Sequence, residues 1–310
     1  MKKRLGVGLY GHNGHQVHAA LAGHARAACV AVAAWDLPCP EGAVMHADLE
    51  GLLADPAVEL VVFCSPRRDE QGGHILECLA QGKHAYAEKP CCMDEETLDR
   101  ILAASARGPG RFHEMAGVGM APVWQALGDC VRQGRIGNVL QIFSQKSYPW
   151  AEWRPRDEGV DGGLAMQVGV YNARFAEHVA GLRITSMRMA AGSEPVRAVS
   201  FLMTFADGAV GAGIANYACP VPPYWHGWGY DTVRVFGSEG FVEVIDGGRI
   251  TTLARNGQAP EALIVPPVET SWLDRVIDEG LDGEGDFPWS VAEEVRPTRW
   301  VIRARHAFQA

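Results

Sequence analysis

The sequence lacks the features that mark membrane proteins, disulfide-stabilised proteins and nucleic-acid-binding proteins. A membrane helix needs about eighteen consecutive apolar residues, and no uninterrupted apolar run approaches that length. The eight cysteines contain no C-x-x-C pair. Positive charge is scarce, with 28 Lys and Arg against 37 Asp and Glu, which argues against a surface that holds phosphate backbones or anionic lipid. We therefore expect reduced, mostly buried thiols in a cytoplasmic protein that binds neither nucleic acid nor membrane.

Metal-binding patterns are also weak. His12, His15 and His18 recur at every third position among eleven histidines, but no cluster of carboxylates or thiols accompanies them. Metal sites in proteins are built from such clusters. We therefore predict no metal site.

The first 118 of the 310 residues alternate short apolar runs with helical patterns. Strands are predicted at 5–10, 29–35, 60–64, 84–88 and 115–118, and helices at 70–81 and 94–106. Asp94 is a suitable N-cap for the second helix. Strands that are apolar on both faces and alternate with helices predict a doubly wound parallel sheet, so residues 1–118 are expected to form a Rossmann-type α/β domain.

From residue 119 onwards the pattern changes to consecutive strands, which predicts an α+β domain over 119–310 with a large, mainly antiparallel sheet. Helices are expected at 122–134, 163–180, 269–280 and 290–308, and strands at 138–148, 184–190, 196–206, 209–218, 231–236, 240–245 and 249–254. Asp207-Gly208 and Gly247-Gly248 are hairpin signals. Val199, Phe201, Met203 and Phe205 alternate along one strand, and we expect them on a face that a monomer leaves wet, hence a homodimer or homotetramer.

The turn after the first strand is the candidate phosphate-binding loop. The literal G-x-G-x-x-G match at 6–11 lies inside the strand, so the loop is Gly11-His12-Asn13-Gly14-His15-Gln16. Gly14 permits close backbone approach, Asn13 tolerates a positive φ, and the N-terminus of a following helix would donate N–H groups to a pyrophosphate. These six residues are predicted to contact a dinucleotide, with an ordinary strand-to-helix turn as the alternative.

Asp36 ends the second predicted strand. A carboxylate at that point accepts hydrogen bonds from the ribose hydroxyls of adenosine and repels a 2′-phosphate. The sequence therefore predicts NAD as the cofactor in preference to NADP. The alternative is a solvated aspartate ahead of the proline-rich stretch 37–40.

Several motifs resemble the family of glucose-fructose oxidoreductase, inositol dehydrogenase and rhizopine-catabolism proteins (Gfo/Idh/MocA). The segment 82–90, GKHAYAEKP, is similar to the family's G-K-H-v-x-x-E-K-P, and 61–66, 135–139 and 235–240 are similar to its other short signatures. The resemblance implies a Rossmann domain that holds a nicotinamide cofactor and a C-terminal sheet domain for substrate and assembly. It also implies that Ser65, Pro66, Gln71, Glu88 and Lys89 line the cofactor site, Gln71 standing where relatives carry a histidine.

Lys89 is the first candidate catalytic residue. It follows a buried parallel strand, at the edge of the sheet where open α/β folds bind their ligands. There an ammonium group can hydrogen-bond a substrate oxygen and stabilise developing negative charge. Glu88 is expected to hold that ammonium in place, and Pro90 to follow a cis peptide bond.

The second motif departs from the family. Relatives show G-G-x-L-x-D-x-G-x-H-x-x-D, whereas the stretch 162–174 places Gln167, Tyr171 and Arg174 at the Asp, His and Asp positions. Gln167 and Tyr171 share one face of a helix. Tyr171 is predicted to carry the proton and Gln167 to hydrogen-bond the substrate. The alternative is that both merely pack between the domains.

Two aromatic loops, near 148–154 and 224–228, supply the remaining substrate candidates, Trp153, Arg154 and His226. Aromatic rings stack on sugar faces, and Arg154 or Arg156 can hold a carboxylate. Packing or oligomer contacts are the alternative role. The sequence thus predicts an NAD-dependent oxidoreductase acting on a secondary alcohol or ketone of a sugar, cyclitol or related polyol. An NAD-dependent glycosidase working by transient oxidation and a non-catalytic NAD-binding regulator remain alternatives.

Overall fold

The computed structural model describes residues 3–193, 195–220, 229–267 and 270–309. The chain divides into two compact units, each with its own sheet. The first unit comprises Met1–Ala116, Asp157–Gly162 and Thr270–Arg296. The second comprises Gly117–Arg156, Gly163–Glu269 and Pro297–Ala310.

The first unit contains a six-stranded parallel sheet in the order β3-β2-β1-β4-β5-β6. Its strands are β1 (Leu5–Tyr10), β2 (Ala27–Ala33), β3 (Val44–Met45), β4 (Leu60–Phe63), β5 (His84–Ala87) and β6 (Phe112–Glu114), and its first helices are α1 (His18–Leu21), α2 (Leu49–Ala54), α3 (Arg68–Ala80) and α4 (Glu95–Arg107). The order reverses between β1 and β4, as in dinucleotide-binding folds. The side chain of Asp94 caps α4 by accepting from the Thr97 amide, as predicted. The doubly wound α/β fold is confirmed.

The last strand of this sheet differs from the prediction at 115–118. β6 is Phe112–Glu114, and Gly117–Met120 forms a 3₁₀ turn instead. Two of the three residues in β6 are titratable, so a search for apolar runs passes over them. Both are nevertheless buried, because the Glu114 carboxylate accepts from the Cys91 amide and another part of the chain supplies the partners of His113.

Those partners come from α8 (Trp272–Asp282) and α9 (Val291–Glu294). His113 lies with Nδ1 2.7 Å from Glu294 Oε2 and Nε2 2.9 Å from Glu279 Oε2. Burial opposes protonation, but the charge of Glu294 and the hydrogen bonds to both carboxylates raise the pKa of His113 to about 9. The segment predicted to close the second domain at 269–280 therefore belongs to the first unit.

The second unit is built on a seven-stranded sheet in the order β13-β12-β11-β7-β10-β9-β8. Its strands are β7 (Val139–Ser147), β8 (Ile184–Ala191), β9 (Ala198–Phe205), β10 (Val210–Asn216), β11 (Tyr230–Gly237), β12 (Gly240–Ile245) and β13 (Ile250–Arg255). The pair β7 and β10 is parallel and the other neighbours are antiparallel. This confirms the mainly antiparallel sheet.

Four of the described α-helices remain, and three of them lie largely in the second unit. α5 (Pro122–Arg132) and α10 (Arg296–Gln309) agree with the predicted helices at 122–134 and 290–308. The predicted helix at 163–180 consists of α7 (Val170–Arg174) between two π-helical turns, Ala165–Gly169 and Phe175–Val179. α6 (Glu158–Asp161) is a single turn that lies in the first unit.

We predicted that the apolar residues that alternate along β9 lie on a face exposed to water, and this prediction was wrong. Val199, Phe201, Met203 and Phe205 are buried within the single chain, with Phe201 packed against Gly169 of the π-helical turn. The alternation therefore marks the inner face, which covers the helix. On the outer face the neighbouring Leu202 is 66% exposed.

The cysteines are free thiols, and six of the eight are buried. The helices within the described ranges include none that is both long and apolar enough to cross a membrane. In the same ranges no group of three or more His, Cys, Asp or Glu residues is arranged to hold a metal ion.

Candidate active site

Lys89 lies two residues beyond the end of β5 in the first unit. Its side chain is 4% exposed, and its ammonium nitrogen lies 3.4 Å from Glu88 Oε1. The Lys89–Pro90 peptide bond is cis, as the sequence predicted. The ammonium group is thus fixed at the carboxyl edge of the parallel sheet.

The Glu88 carboxylate ties this strand end to the Gly11 loop. Oε2 accepts from the amide of His15 at 2.7 Å and lies 2.6 Å from His15 Nδ1, while Oε1 accepts from the Lys89 amide. Burial by itself would raise the pKa of Glu88, but the Lys89 ammonium, the His15 hydrogen bonds and the nearby Arg68 guanidinium hold it well below its usual range. Glu88 is therefore a permanent anion that orients Lys89.

Gln71 supports the same strand end from inside the unit. Its amide nitrogen donates to the carbonyl oxygens of Glu88 at 2.7 Å and Pro90 at 3.1 Å, and its amide oxygen accepts from the Ser65 backbone. Gln71 and Ser65 have no exposed surface, whereas Pro66 is exposed. The buried Gln71 side chain thus positions the backbone on both sides of Lys89.

Arg68 is a member of this network that the sequence analysis missed. It is buried in the first turn of α3 and donates to the Gln71 side chain and to the carbonyl oxygen of Asn13, each at 2.5 Å. The Gly11 loop is therefore held from two sides, by Arg68 and by Glu88. An arginine at the start of an amphipathic helix resembles an ordinary solvated residue, so its pattern gives no signal of burial.

The loop has the bare backbone that a phosphate group requires. Gly11 has φ +72°, and a Cβ atom there would lie 2.3 Å from the carbonyl oxygen of Cys64. Gly14 has φ +146°, and a Cβ atom there would lie 2.5 Å from the Glu88 side chain. Both positions require glycine.

Two expectations about the loop differ from the structure. Asn13 does not take up a positive φ; its side chain instead donates to the carbonyl oxygens of Val160, at 2.6 Å, and Pro66. The following helix α1 has four residues, so its dipole contributes little to anion binding. The Gln16 amide folds back onto the His12 and Gly14 carbonyl oxygens.

Asp36 lies beyond β2 and faces the same loop. Its carboxylate is 72% exposed and lies 2.7 Å from His12 Nδ1. Trp35 packs beneath, with the rings of His12 and His18 edge-on to it. An exposed carboxylate beside a glycine-bounded loop at the switch point of the sheet fits the adenosine half of a dinucleotide.

Tyr171 in the second unit is buried beside a lysine that the sequence analysis missed. The Lys146 ammonium lies 4.5 Å from the centroid of the Tyr171 ring and 4.9 Å from that of Tyr148. Lys146 is on β7, and its ammonium is 2.7 Å from the carboxylate of Asp231, its register partner on β11. The Lys146 cation thus lies over the face of the Tyr171 ring, and the hydroxyl of that ring is the candidate proton carrier.

The signal for Lys146 was present in β7. Ile142, Ser144 and Lys146 alternate on the buried side of that strand. A lysine at an inward position is costly unless it is paired. Its partner Asp231 is distant in sequence, so the pair becomes recognisable only when the register of β7 and β11 is known.

Tyr217 links two of the predicted substrate residues. Its hydroxyl lies 3.4 Å from Gln167 Oε1, one helical turn before Tyr171. The guanidinium of Arg154 stacks on the ring of the same tyrosine, 4.1 Å from the Tyr217 ring centroid. Trp153 is exposed and lies beside Arg154, and His226 falls in 221–228, outside the described residues.

Two family models match the chain. Residues 2–114 match "Oxidoreductase family, NAD-binding Rossmann fold", and residues 124–243 match "GFO/IDH/MocA C-terminal domain". The first unit is thus an NAD-binding Rossmann domain, and its Gly11 loop and Asp36 fit that cofactor.

Individual relatives are more distant. Trans-1,2-dihydrobenzene-1,2-diol dehydrogenase of Mus musculus is 25% identical over 72% of this chain and 65% of its own length. Inositol 2-dehydrogenase of Pseudomonas savastanoi pv. phaseolicola is 31% identical over 35% of this chain and 32% of its own length. The structure of GenD2 from gentamicin A biosynthesis in complex with NAD has a TM-score of 0.80 at 22% identity, over 99% of this chain and 95% of that one.

Proposed function

Because the chain belongs to the Gfo/Idh/MocA family of oxidoreductases, we propose that it is an NAD-dependent dehydrogenase or reductase acting on a secondary alcohol or ketone of a sugar, cyclitol or related polyol. The observation that carries the proposal is the Lys89 ammonium, fixed by a buried carboxylate at the edge of an NAD-binding sheet. Relatives named as inositol and dihydrodiol dehydrogenases support the substrate class.

Each side chain has a defined part in the proposal. Bound NAD supplies the hydride acceptor. Lys89 donates a hydrogen bond to the reacting oxygen and stabilises the negative charge that develops on it. Tyr171 takes the proton of the substrate hydroxyl, and the Lys146 ammonium on its ring face favours the phenolate that can do so.

Asp36 sets the choice of cofactor in this proposal. Its exposed carboxylate accepts from the ribose hydroxyls and repels the 2′-phosphate of NADP. The Gly11 loop, from Gly11 to Gln16, approaches the pyrophosphate with its backbone. Ser65, Gln71 and Glu88 shape the site from below, and Pro66 lies exposed beside the loop.

The proposal also includes assembly and location. The outer face of the second sheet exposes Leu202, Val210 and Ile250 around the half-buried Phe143 and Ile214. Covering these side chains in a homodimer or homotetramer would remove them from water. The free cysteines support a cytoplasmic protein.

The test of the proposed function is NADH formation by the full-length protein over a panel of sugars, cyclitols and polyols. We expect turnover with at least one member and none after Lys89→Ala. NAD binding without any turnover across the panel would contradict the proposal and favour a regulatory protein. Substrate cleavage without net NADH would instead favour a glycosidase.

A further inference from the structure

Arg154 is an arginine held rigidly inside the second unit. It is 8% exposed, in the loop that follows β7. Its Nε donates to the carbonyl oxygen of Pro149 at 3.2 Å, and one face of the guanidinium covers the Tyr217 ring at 4.1 Å. Stacking and this hydrogen bond fix the plane of the group, so little conformational entropy remains to be lost when the group binds a partner.

This buried cation has no carboxylate partner within the described ranges. Its contacts there are the Pro149 carbonyl oxygen and the rings of Trp153 and Tyr217. The nearest acid in the loop, Glu152, accepts instead from the indole of Trp150. Arg154 differs in this respect from Lys146, whose charge is matched by Asp231.

These contacts leave the terminal NH₂ groups of Arg154 available to donate hydrogen bonds to another molecule. A buried guanidinium without a counter-ion is costly, and its planar fork matches the two oxygens of a carboxylate. Through Tyr217 and Gln167, Arg154 is linked to the helix of Tyr171, one turn further on. The fork is therefore connected, through two contacts, to the helix that carries the phenol proposed to take the substrate proton.

We propose that the substrate carries a carboxylate, which Arg154 holds, so that the enzyme acts on acidic polyols such as uronates or aldonates. This inference rests on the proposed oxidoreductase function and narrows its substrate class. In the reaction the carbinol C–H bond breaks as a hydride passes to NAD, and the hydroxyl proton passes to Tyr171. The carboxylate itself is unchanged and serves to position the substrate.

The test compares matched acidic and neutral substrates. D-glucuronate, D-galacturonate and D-gluconate are assayed with NAD against D-glucose, D-galactose and D-glucitol, with D-glucose 6-phosphate as a separate anion. We expect kcat/KM to favour at least one acid over its neutral partner by about 30-fold or more. Arg154→Met should remove that preference through KM, and Arg154→Lys should restore part of it.

The control is Arg132→Met, which removes an exposed arginine of the same unit that pairs with Asp129. It should leave the preference unchanged. Equal kcat/KM for acids and neutral partners, a preference that survives Arg154→Met, or a stronger preference for the phosphate would each overturn the inference.

A binding measurement separates this inference from the proposed function. The three carboxylates are titrated calorimetrically into the NADH-loaded protein, where no oxidation occurs. Binding that Arg154→Met abolishes supports the carboxylate site even if no substrate is oxidised, which would then count against the function alone. Failure of all three carboxylates to bind would overturn the site, while oxidation of neutral polyols would leave the function standing.

Discussion

Lys89 and Tyr171 are held in place by two different kinds of contact. Lys89 depends on its neighbour in sequence, because Glu88 pairs with its ammonium, while Gln71 supports the backbone of Glu88 and Pro90 from the preceding helix α3. Tyr171 depends on strands far away in sequence, because Lys146 and Asp231 meet across the register of β7 and β11. A site built along the chain can be recognised as a motif, whereas one built across a sheet cannot.

The largest effect should come from Lys89→Ala, which tests the first kind of contact. Without the ammonium, the charge that develops on the substrate oxygen has no partner, so kcat should fall by about 10³-fold or more. NAD affinity, measured by fluorescence titration, should change little, because the proposed place of the pyrophosphate is the Gly11 loop.

The matched control is Lys83→Ala in the same motif. Lys83 immediately precedes β5, and its ammonium donates to the carbonyl oxygens of Asp55 and Val58. It should leave kcat close to that of the native protein. An unchanged kcat in Lys89→Ala would mean that the sequence motif serves folding alone.

Tyr171→Phe tests the second kind of contact. It keeps the ring under Lys146 and removes the proton carrier, so kcat should fall by about 10²–10⁴-fold. Combined with Lys89→Ala, the two losses should be less than additive in free energy, since the proposed function has both residues serve one oxygen. A native rate would assign the phenol to packing and move the proton transfer to solvent or to His226.

The difference between the two residues also explains how far the sequence could predict the molecule. The parallel first sheet, the mainly antiparallel second sheet, the cis peptide bond, the cap of α4 and the family followed from contiguous patterns. The partners of Lys146 and the face of β9 depended on register, which no local pattern contains. β6 was misplaced because His113 is titratable and is buried against Glu294, 181 positions further along the chain, while the Glu114 carboxylate accepts from the Cys91 amide.

Lys146→Met sharpens the comparison by removing the cation from the ring face. In the proposed reaction its charge stabilises the negative charge that develops on the phenol, so without it the ascending limb of the pH profile of kcat should move to higher pH. Lys146→Arg keeps the charge and should restore the profile. An identical profile in Lys146→Met would show that the lysine serves packing alone.

Asp36→Ser should have a smaller effect, confined to cofactor choice. Loss of an exposed charge should lower the ratio of NAD to NADP affinity by about tenfold. Competitive titration with both cofactors measures the ratio, and kcat with saturating NAD serves as the internal control. Equal affinity of the native protein for the two cofactors would contradict the assignment.

His113→Gln concerns stability and should alter catalysis least. The pKa of His113 is raised to about 9 in the folded protein, so its contribution is complete below the unfolded value near 6.5 and is lost as pH rises through 9. The Tm of the native protein should therefore fall between pH 7 and pH 10. The variant should already be less stable than the native protein by about 2–3 kcal/mol at pH 7, and its Tm should fall by less over the same range. His306→Gln, at an exposed position of α10, should behave as the native protein does.

The path of the chain also has a consequence for synthesis. The His113 imidazole in the sixth strand cannot meet its two carboxylates until Glu279 and Glu294 have been made, and the intervening residues include the other sheet. During translation the nucleotide-binding unit therefore cannot complete the contacts of its sixth strand until the residues up to Glu294 have left the ribosome. Long-range closure of this kind slows folding and exposes the edge strand to other chains. In a fragment that ends near residue 118 this edge strand would stay exposed. The part of the chain that the sequence marks most clearly as a domain is therefore poorly suited to be expressed separately.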